Sequence, residues 1–184
     1  MEEGLRREQQ KEVGAFGWAS KTQPHLLFLF SHMSRMNGKP TKRTLHAVRR
    51  ALWHAFSHVR PLRLVPVKGK PCLVVWVDAS YETRQKQGRL GYEFQIVEER
   101  DLKDLSILGE ENTVAWRSKR YDRKLASMTG AELLAMRDGV KQAFLHARLI
   151  SRLWGASPKV VVVSDSQPLL RQLTSRQCTA DPQL

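Results

Sequence analysis

The sequence predicts an α/β fold in which a mixed β-sheet follows a helical N-terminal extension. Two short apolar runs, residues 73–77 and 160–163, have the composition of strands that helices cover on both faces. A long segment with helical periodicity lies between them, and three predicted strands precede this helix. The predicted order of elements in this part of the chain is therefore β-β-β-α-β-α.

The extension, residues 13–60, is predicted to be helical. Residues 1–12 carry mixed charges and are expected to fray. A break near Pro24 divides the first helical part, and Thr41 is placed to cap a later helix. The apolar residues of that helix recur at helical spacing, and they are Leu45, Val48, Leu52, Ala55 and Phe56. Residues 61–71 are rich in Pro and Gly, which predicts a linker.

The sheet domain is predicted to span residues 72–184. Its predicted strands are 73–77, 91–97, 113–116 and 159–163. The long helix begins at Thr129 and ends near Gly155, a residue type that suits a helix C-terminus. Its predicted buried stripe consists of Leu133, Met136, Val140, Ala143, Phe144 and Ala147. Pro168 suits the first turn of a last helix.

The basic charge of the chain is concentrated in its first half. The formal net charge is +13, and residues 13–77 contain eleven Lys and Arg side chains but no Asp or Glu. Such a field favours polyanions, whose counterions are released on binding. We expect a nucleic-acid partner, with anionic membrane surfaces and acidic proteins as the alternatives. The predicted phosphate contacts are Lys39, Lys42, Arg43, Arg49 and Arg50.

The sequence favours a soluble, intracellular protein. No apolar segment approaches the roughly 20 residues needed to span a bilayer, and residues 1–14 lack the apolar region of a signal peptide. Only Cys72 and Cys178 are present, without a C-x-x-C pair. They indicate neither a disulfide framework nor a thiolate zinc site, and they fit a reducing compartment.

Three acidic residues define a candidate site. Asp78 and Asp165 follow the two apolar strands, so parallel pairing of these strands would present both acids together. Glu132, in the first turn of the long helix, is expected to face the sheet. Clustered carboxylates either raise a pKa or recruit hard divalent cations. Ligands that are all oxygens favour two Mg²⁺ or Mn²⁺ ions about 4 Å apart, an arrangement that cleaves phosphodiesters.

Each acid also has a purely structural interpretation. Thr129 and Glu132 have the spacing of a capping box. Asp165 is placed to cap the last helix, and Asp78 could end a strand in a turn. The convergence of all three at element ends that this topology brings together favours the site.

These segments resemble the ribonuclease H domain of Ty1/copia-type retrotransposon polyproteins. The resemblance rests, in chain order, on VDAS, RLGYEF, NTVAWRSKR, TGAELLAM and VVSDSQPLL. The upstream segments VGAFGWASKTQPHLLFLFSHMSRM and KPTKRTLHAVRRALWHA resemble the end of the reverse transcriptase thumb and connection. Together they extend over about residues 13–173.

The resemblance implies a ribonuclease H-like fold and hydrolysis of the RNA strand of RNA/DNA hybrids. It implies that Asp78, Glu132 and Asp165 are the catalytic acids and bind two Mg²⁺ or Mn²⁺ ions. The basic segment would hold the duplex backbone, and recognition would depend on the 2′-hydroxyl and groove shape. The remaining partner would be the rest of a Pol polyprotein, in a cytoplasmic particle or in the nucleus.

The sequence departs from the family in two places. Gln23-Pro24-His25 stands where Arg-Pro-Asp is usual, and the polymerase aspartates would precede residue 1, so no polymerase activity is expected. The family has a further strand and helix bearing a fourth acid after Asp165, and Asp181 lies too near to replace it. The sheet domain is therefore expected to be truncated at its C-terminus, with weak or no activity. The alternative function is an inactive nucleic-acid-binding fragment of a reverse transcriptase polyprotein.

Overall fold

A computed structural model of the protein describes residues 2–84, 86–105, 108–109 and 112–175. The chain divides into two units, residues 1–62 and residues 63–184, called unit 1 and unit 2 below. Asp181 and Cys178 lie outside the described residues. Unit 2 is an α/β domain, as the sequence predicts, and unit 1 is helical in its described part.

Unit 1 contains three α-helices in its described residues, joined by short 3₁₀ turns. They are α1 (Glu2–Ala19), α2 (Leu27–Ser34) and α3 (Lys42–Ser57). The 3₁₀ turns, Pro24–Leu26 and Arg35–Gly38, flank α2, so the predicted break near Pro24 is confirmed. The core of the unit contains Val13, Phe16, Leu26, Met33, Val48, Leu52 and Ala55.

The prediction that residues 1–12 fray is wrong for residues 2–12, which form the first part of α1. Distant partners hold this segment in place. Gln9 is fully buried, donates to the Asn37 Oδ1 and accepts from the Thr44 hydroxyl at 2.6 Å. Arg49 pairs with two acidic side chains of α1, Glu8 and Glu12. The local sequence pattern does not reveal these contacts, because their partners are distant in the chain, and it therefore predicts fraying.

Helix α3 begins where the sequence predicts. Thr41 accepts a hydrogen bond from the Thr44 N–H, and the Thr44 hydroxyl accepts one from the Thr41 N–H, which completes a capping box. The predicted stripe is buried at Leu45, Val48, Leu52 and Ala55. Phe56 is exposed, because it lies at the margin of that stripe in the last helical turn.

Unit 2 contains one four-stranded mixed sheet in its described residues. Its elements are β1 (Pro71–Glu82), β2 (Gln87–Glu98), a 3₁₀ turn (Glu99–Lys103), β3 (Thr113–Lys124), α4 (Met128–Trp154), β4 (Lys159–Val163) and α5 (Gln167–Ser175). The strand order is β3-β2-β1-β4. Strand β1 is antiparallel to β2 and parallel to β4, so the condition under which Asp78 and Asp165 would be presented together is met. Strand β1 lies inside the sheet, whereas the valines of β4 are half-buried at an edge of the described sheet, so only one apolar run is central.

The segment between the units is only partly a free linker. Residues 58–70 contain no helix or strand. Residues 63–70 are nevertheless bonded to the sheet of unit 2. Asn112 donates its N–H to the Arg63 carbonyl and accepts from the Val65 N–H, and the Glu98 carboxylate accepts from the Lys68 N–H at 2.8 Å.

Helix α4 packs on the sheet through small residues. Ala131, Ala135, Gly139 and Ala143 recur every four residues and are buried. A Cβ at Gly139 would lie 2.7 Å from the Val77 Cγ1, so this helix approaches β1 more closely than a side chain allows. Phe144, predicted on the buried stripe, is 64% exposed because the small face forms the contact instead. No helix among the described residues is sufficiently long and apolar to cross a membrane.

Candidate metal centre

Two of the three predicted acids reach the site through the parallel pairing of β1 and β4. Trp76 and Val163 are the last paired residues of these strands. Asp78 and Asp165 each lie two residues beyond that pair, so the register places them at the same end of the sheet. Asp78 still belongs to β1 and is paired with Gly91 of β2, which excludes the interpretation of a strand ending in a turn.

The third acid, Glu132, comes from the first turns of α4. The alternative interpretation of Glu132, a capping box with Thr129, is excluded, because Ser127 is the N-cap residue and accepts from the Gly130 N–H at 3.0 Å. Glu132 is therefore not a capping residue. Its side chain is only 3% exposed, between the helix and the sheet.

The three side chains come together. One carboxylate oxygen from each of Asp78, Glu132 and Asp165 lies within 4.8 Å of the other two. Asp78 and Asp165 are exposed, and Glu132 is buried. The Ser166 carbonyl accepts a hydrogen bond from the Leu170 N–H, so Ser166 and not Asp165 occupies the N-cap position of helix α5. The arrangement is a cup with a buried acid at its base and two exposed acids at its rim.

The electrostatics of this cup favour neutralisation. Burial raises the pKa of Glu132 to about 7, and the charges of Asp78 and Asp165 add to the effect, while the backbone of Ala79 opposes it. Burial also raises the pKa of Asp78, again with a contribution from Asp165. The Glu132 Oε2 is buried without a hydrogen-bond partner among the described residues. A proton, a cation or an ordered water would satisfy such an oxygen.

The face of the sheet that carries Asp78 also carries basic side chains. Ser80 lies opposite Arg89, and Arg89 lies opposite Arg120, in one row across β1, β2 and β3. Directly opposite residues point to the same side of a sheet, and Ser80 is two residues after Asp78 on β1. Arg89 and Arg120 therefore lie on the same face of the sheet as Asp78. Sequence reasoning missed the two arginines, because only the strand register shows that they share a face with the acid.

The predicted phosphate contacts all lie in unit 1. Lys39, Lys42, Arg43 and Arg50 are exposed. Arg49 differs from them, because its guanidinium is paired with Glu8 and Glu12, which raise its pKa. Arg49 therefore joins α3 to α1, and its charge is already balanced.

Comparison with known proteins provides no assignment for this chain. No protein-family model matches it, and no curated protein matches it either.

Proposed function

We propose that unit 2 is a ribonuclease H-type domain that hydrolyses the RNA strand of RNA/DNA hybrids, with Mg²⁺ or Mn²⁺ held by Asp78, Glu132 and Asp165. The observation that carries the proposal is the meeting of three carboxylates within 4.8 Å at the end of a parallel strand pair. The mixed sheet and the β-β-β-α-β-α order of unit 2 are compatible with a ribonuclease H-like fold. The resemblance of the sequence segments supports the same activity.

The three acids fit a hard divalent cation. They offer carboxylate oxygens alone, which are the ligands that Mg²⁺ and Mn²⁺ prefer. Among the described residues the Glu132 Oε2 has no hydrogen-bond partner, and burial together with the neighbouring carboxylates raises the pKa values of Glu132 and Asp78, so a cation would relieve the charge of the ionised cup. When bound, such ions supply an activated water and stabilise the charge that develops on the scissile phosphate.

The chain's own side chains position the substrate in this proposal. Exposed Asp78 and Asp165, with buried Glu132, would hold the cations, because carboxylates alone repel a phosphate. Arg89 and Arg120, on the same sheet face, are placed to bind neighbouring phosphates of the strand. Such contacts carry no base information, so we expect selection by the 2′-hydroxyl and helix shape with little sequence preference.

The test is cleavage of an RNA/DNA hybrid labelled on the RNA strand. The full chain is incubated with the hybrid in Mg²⁺ and, separately, in Mn²⁺. We expect RNA-strand cutting that is abolished by Asp78→Asn and by Glu132→Gln. The matched control is Glu82→Gln, which removes an exposed acid from the same strand, four residues from Asp78, and should leave cutting intact.

The remaining outcomes separate the proposal from its alternative. Divalent binding and hybrid binding without cutting would favour the inactive nucleic-acid-binding fragment. Cutting that persists in Asp78→Asn would show a contaminating nuclease and would refute the assigned site. Cutting of the DNA strand or of duplex DNA at the same rate would refute the assigned substrate.

A further inference from the structure

Unit 1 contains an open groove with a volume of about 770 Å³, formed by α3 and part of α2. This volume lies within the range of about 300–1,000 Å³ that is typical of small-ligand pockets. Leu29 and Leu45 line it with apolar side chains. Lys42, His46 and Arg50 also line it. The lining of the groove therefore combines apolar and basic side chains.

The charge of the groove has one sign. Among the described residues, no acidic side chain lines it. Lys42 and Arg50 are exposed and form no ion pair within the described part of the chain, whereas Arg49 is held by Glu8 and Glu12. Lys42, His46 and Arg50 follow each other at four-residue steps, which spaces them about 6 Å apart along one face of α3. Two unbalanced cations thus lie in a row that a chain of phosphates could follow.

Trp53 also lines the groove, and its side chain is 70% exposed. It follows Arg50 by three residues, so it continues the same helix face. A large indole that remains exposed beside Arg50 offers a flat apolar surface with a phosphate-binding group next to it. Grooves that bind single-stranded nucleic acid combine these two features, since bases stack on the aromatic ring and cations track the backbone.

We infer that this groove binds single-stranded nucleic acid, with a base stacked on Trp53 and backbone phosphates on Lys42 and Arg50. A duplex is disfavoured because its base faces are already stacked, which leaves the indole without a partner. The inference concerns unit 1 and does not depend on the metal centre. The inference specifies single-stranded nucleic acid as the ligand of unit 1, whereas the charge of the unit alone favours any polyanion.

The test measures binding of the full chain to a labelled oligothymidylate of about 12 nucleotides, by fluorescence anisotropy at low salt. Trp53→Ala should weaken binding by about 5- to 100-fold, whereas Trp53→Phe, which retains a ring, should weaken it much less. Trp18→Ala is the matched control, because Trp18 is also 70% exposed in unit 1 and does not line the groove. This control should bind as the wild type does.

The cations are tested through salt. Lys42→Ala and Arg50→Ala should each make the slope of log K against log[salt] shallower by about 0.7, the value for one phosphate contact with a single strand. Asp78→Asn should bind the oligonucleotide normally even though it is expected to lose hybrid cutting. Failure of the groove and failure of the metal centre are therefore distinguishable.

Four outcomes would overturn the inference. Unchanged binding by Trp53→Ala would exclude stacking. An equal loss in Trp18→Ala would show non-specific aromatic association. If Trp53→Ala lost as much affinity for a 12-base-pair DNA duplex as for the oligothymidylate, the groove would bind the phosphate backbone without base stacking. Tighter binding to anionic lipid vesicles than to the oligonucleotide, with a blue shift of Trp fluorescence that Trp53→Ala removes, would assign the groove to a membrane surface.

Discussion

Replacing Glu132 by Gln should stabilise the metal-free protein at neutral and alkaline pH. In the folded chain, burial beside Asp78 and Asp165 raises the pKa of Glu132 from 4.5 to about 7. A displacement of this size corresponds to up to about 3 kcal/mol of free energy between the protonated and ionised forms. Gln has nearly the same shape and no charge, so it removes this cost. Glu132, which is proposed to bind the metal, would thus lower the folding stability of the metal-free protein.

The sign of the pH dependence follows from proton binding. The folded carboxyl binds its proton more tightly than the unfolded one, so this contribution to stability is fully present below pH 4.5. The contribution is lost as the pH rises from 4.5 to about 7, and above that value the group no longer changes the free energy of unfolding with pH. Wild type and Glu132→Gln should therefore be about equally stable at pH 4. The variant should be more stable by up to about 3 kcal/mol at pH 8.

Native-state hydrogen exchange of the β1 and α4 amides measures this free energy within unit 2. Glu82→Gln, an exposed acid on β1, is the control and should follow the wild type. At pH 8, Mn²⁺ at ten times its dissociation constant should stabilise the wild type by about 1.4 kcal/mol and reduce its difference from Glu132→Gln. Parallel pH profiles for wild type and Glu132→Gln would refute the reasoning, as would a variant that is less stable at pH 8.

Three further changes have definite expected outcomes. Gly139→Ala should destabilise unit 2 by about 1–3 kcal/mol and weaken Mn²⁺ binding, because the new Cβ collides with Val77 and moves α4; urea unfolding and manganese titration measure both effects. Asp138→Asn should cost about 1 kcal/mol at neutral pH. Burial opposes ionisation of Asp138, but its bond to Lys119 lowers its pKa, so the cost should shrink as the pH falls below 3.8, which a pH series of urea unfolding would show. Thr41→Ala should cost about 1 kcal/mol through loss of the cap and speed exchange of the first α3 amides, and unchanged exchange would contradict it.

The element order and the meeting of the acids could be predicted because both follow from local patterns and one topological rule. Apolar runs that end in acids, with a helix between them, predict two parallel strands whose carboxylates lie at the same end of the sheet. The extent of β1 could not be predicted, because Asp78, Ser80 and Glu82 alternate toward solvent and resemble a turn. Strand pairing with β2 over the whole length supplies the missing hydrogen bonds.

The packing of α4 and α1 could not be predicted from the sequence either, for a different reason. Apolar periodicity selects large residues such as Phe144. In the structure, Ala and Gly residues of α4 allow the close approach to the sheet, and Leu134 and Ile150 are buried with them in the core. The order of α1 depends on Gln9 and on ion pairs with Arg49, more than thirty residues away. Contacts of this range leave no local signal. The same holds for the groove at Trp53, which needs α2 as well as α3.

The half-buried valines of β4 have a consequence for behaviour in solution. Within the described residues no strand pairs with the outer side of β4, and the segment KVVVV carries a single charge. Such an edge is a template for strand addition between molecules. The net charge of +13 keeps molecules apart at low ionic strength, and salt screens that repulsion while the hydrogen bonds of an edge pairing remain. Raising the salt concentration should therefore promote self-association of the protein, under the same conditions that would weaken the nucleic-acid binding proposed above.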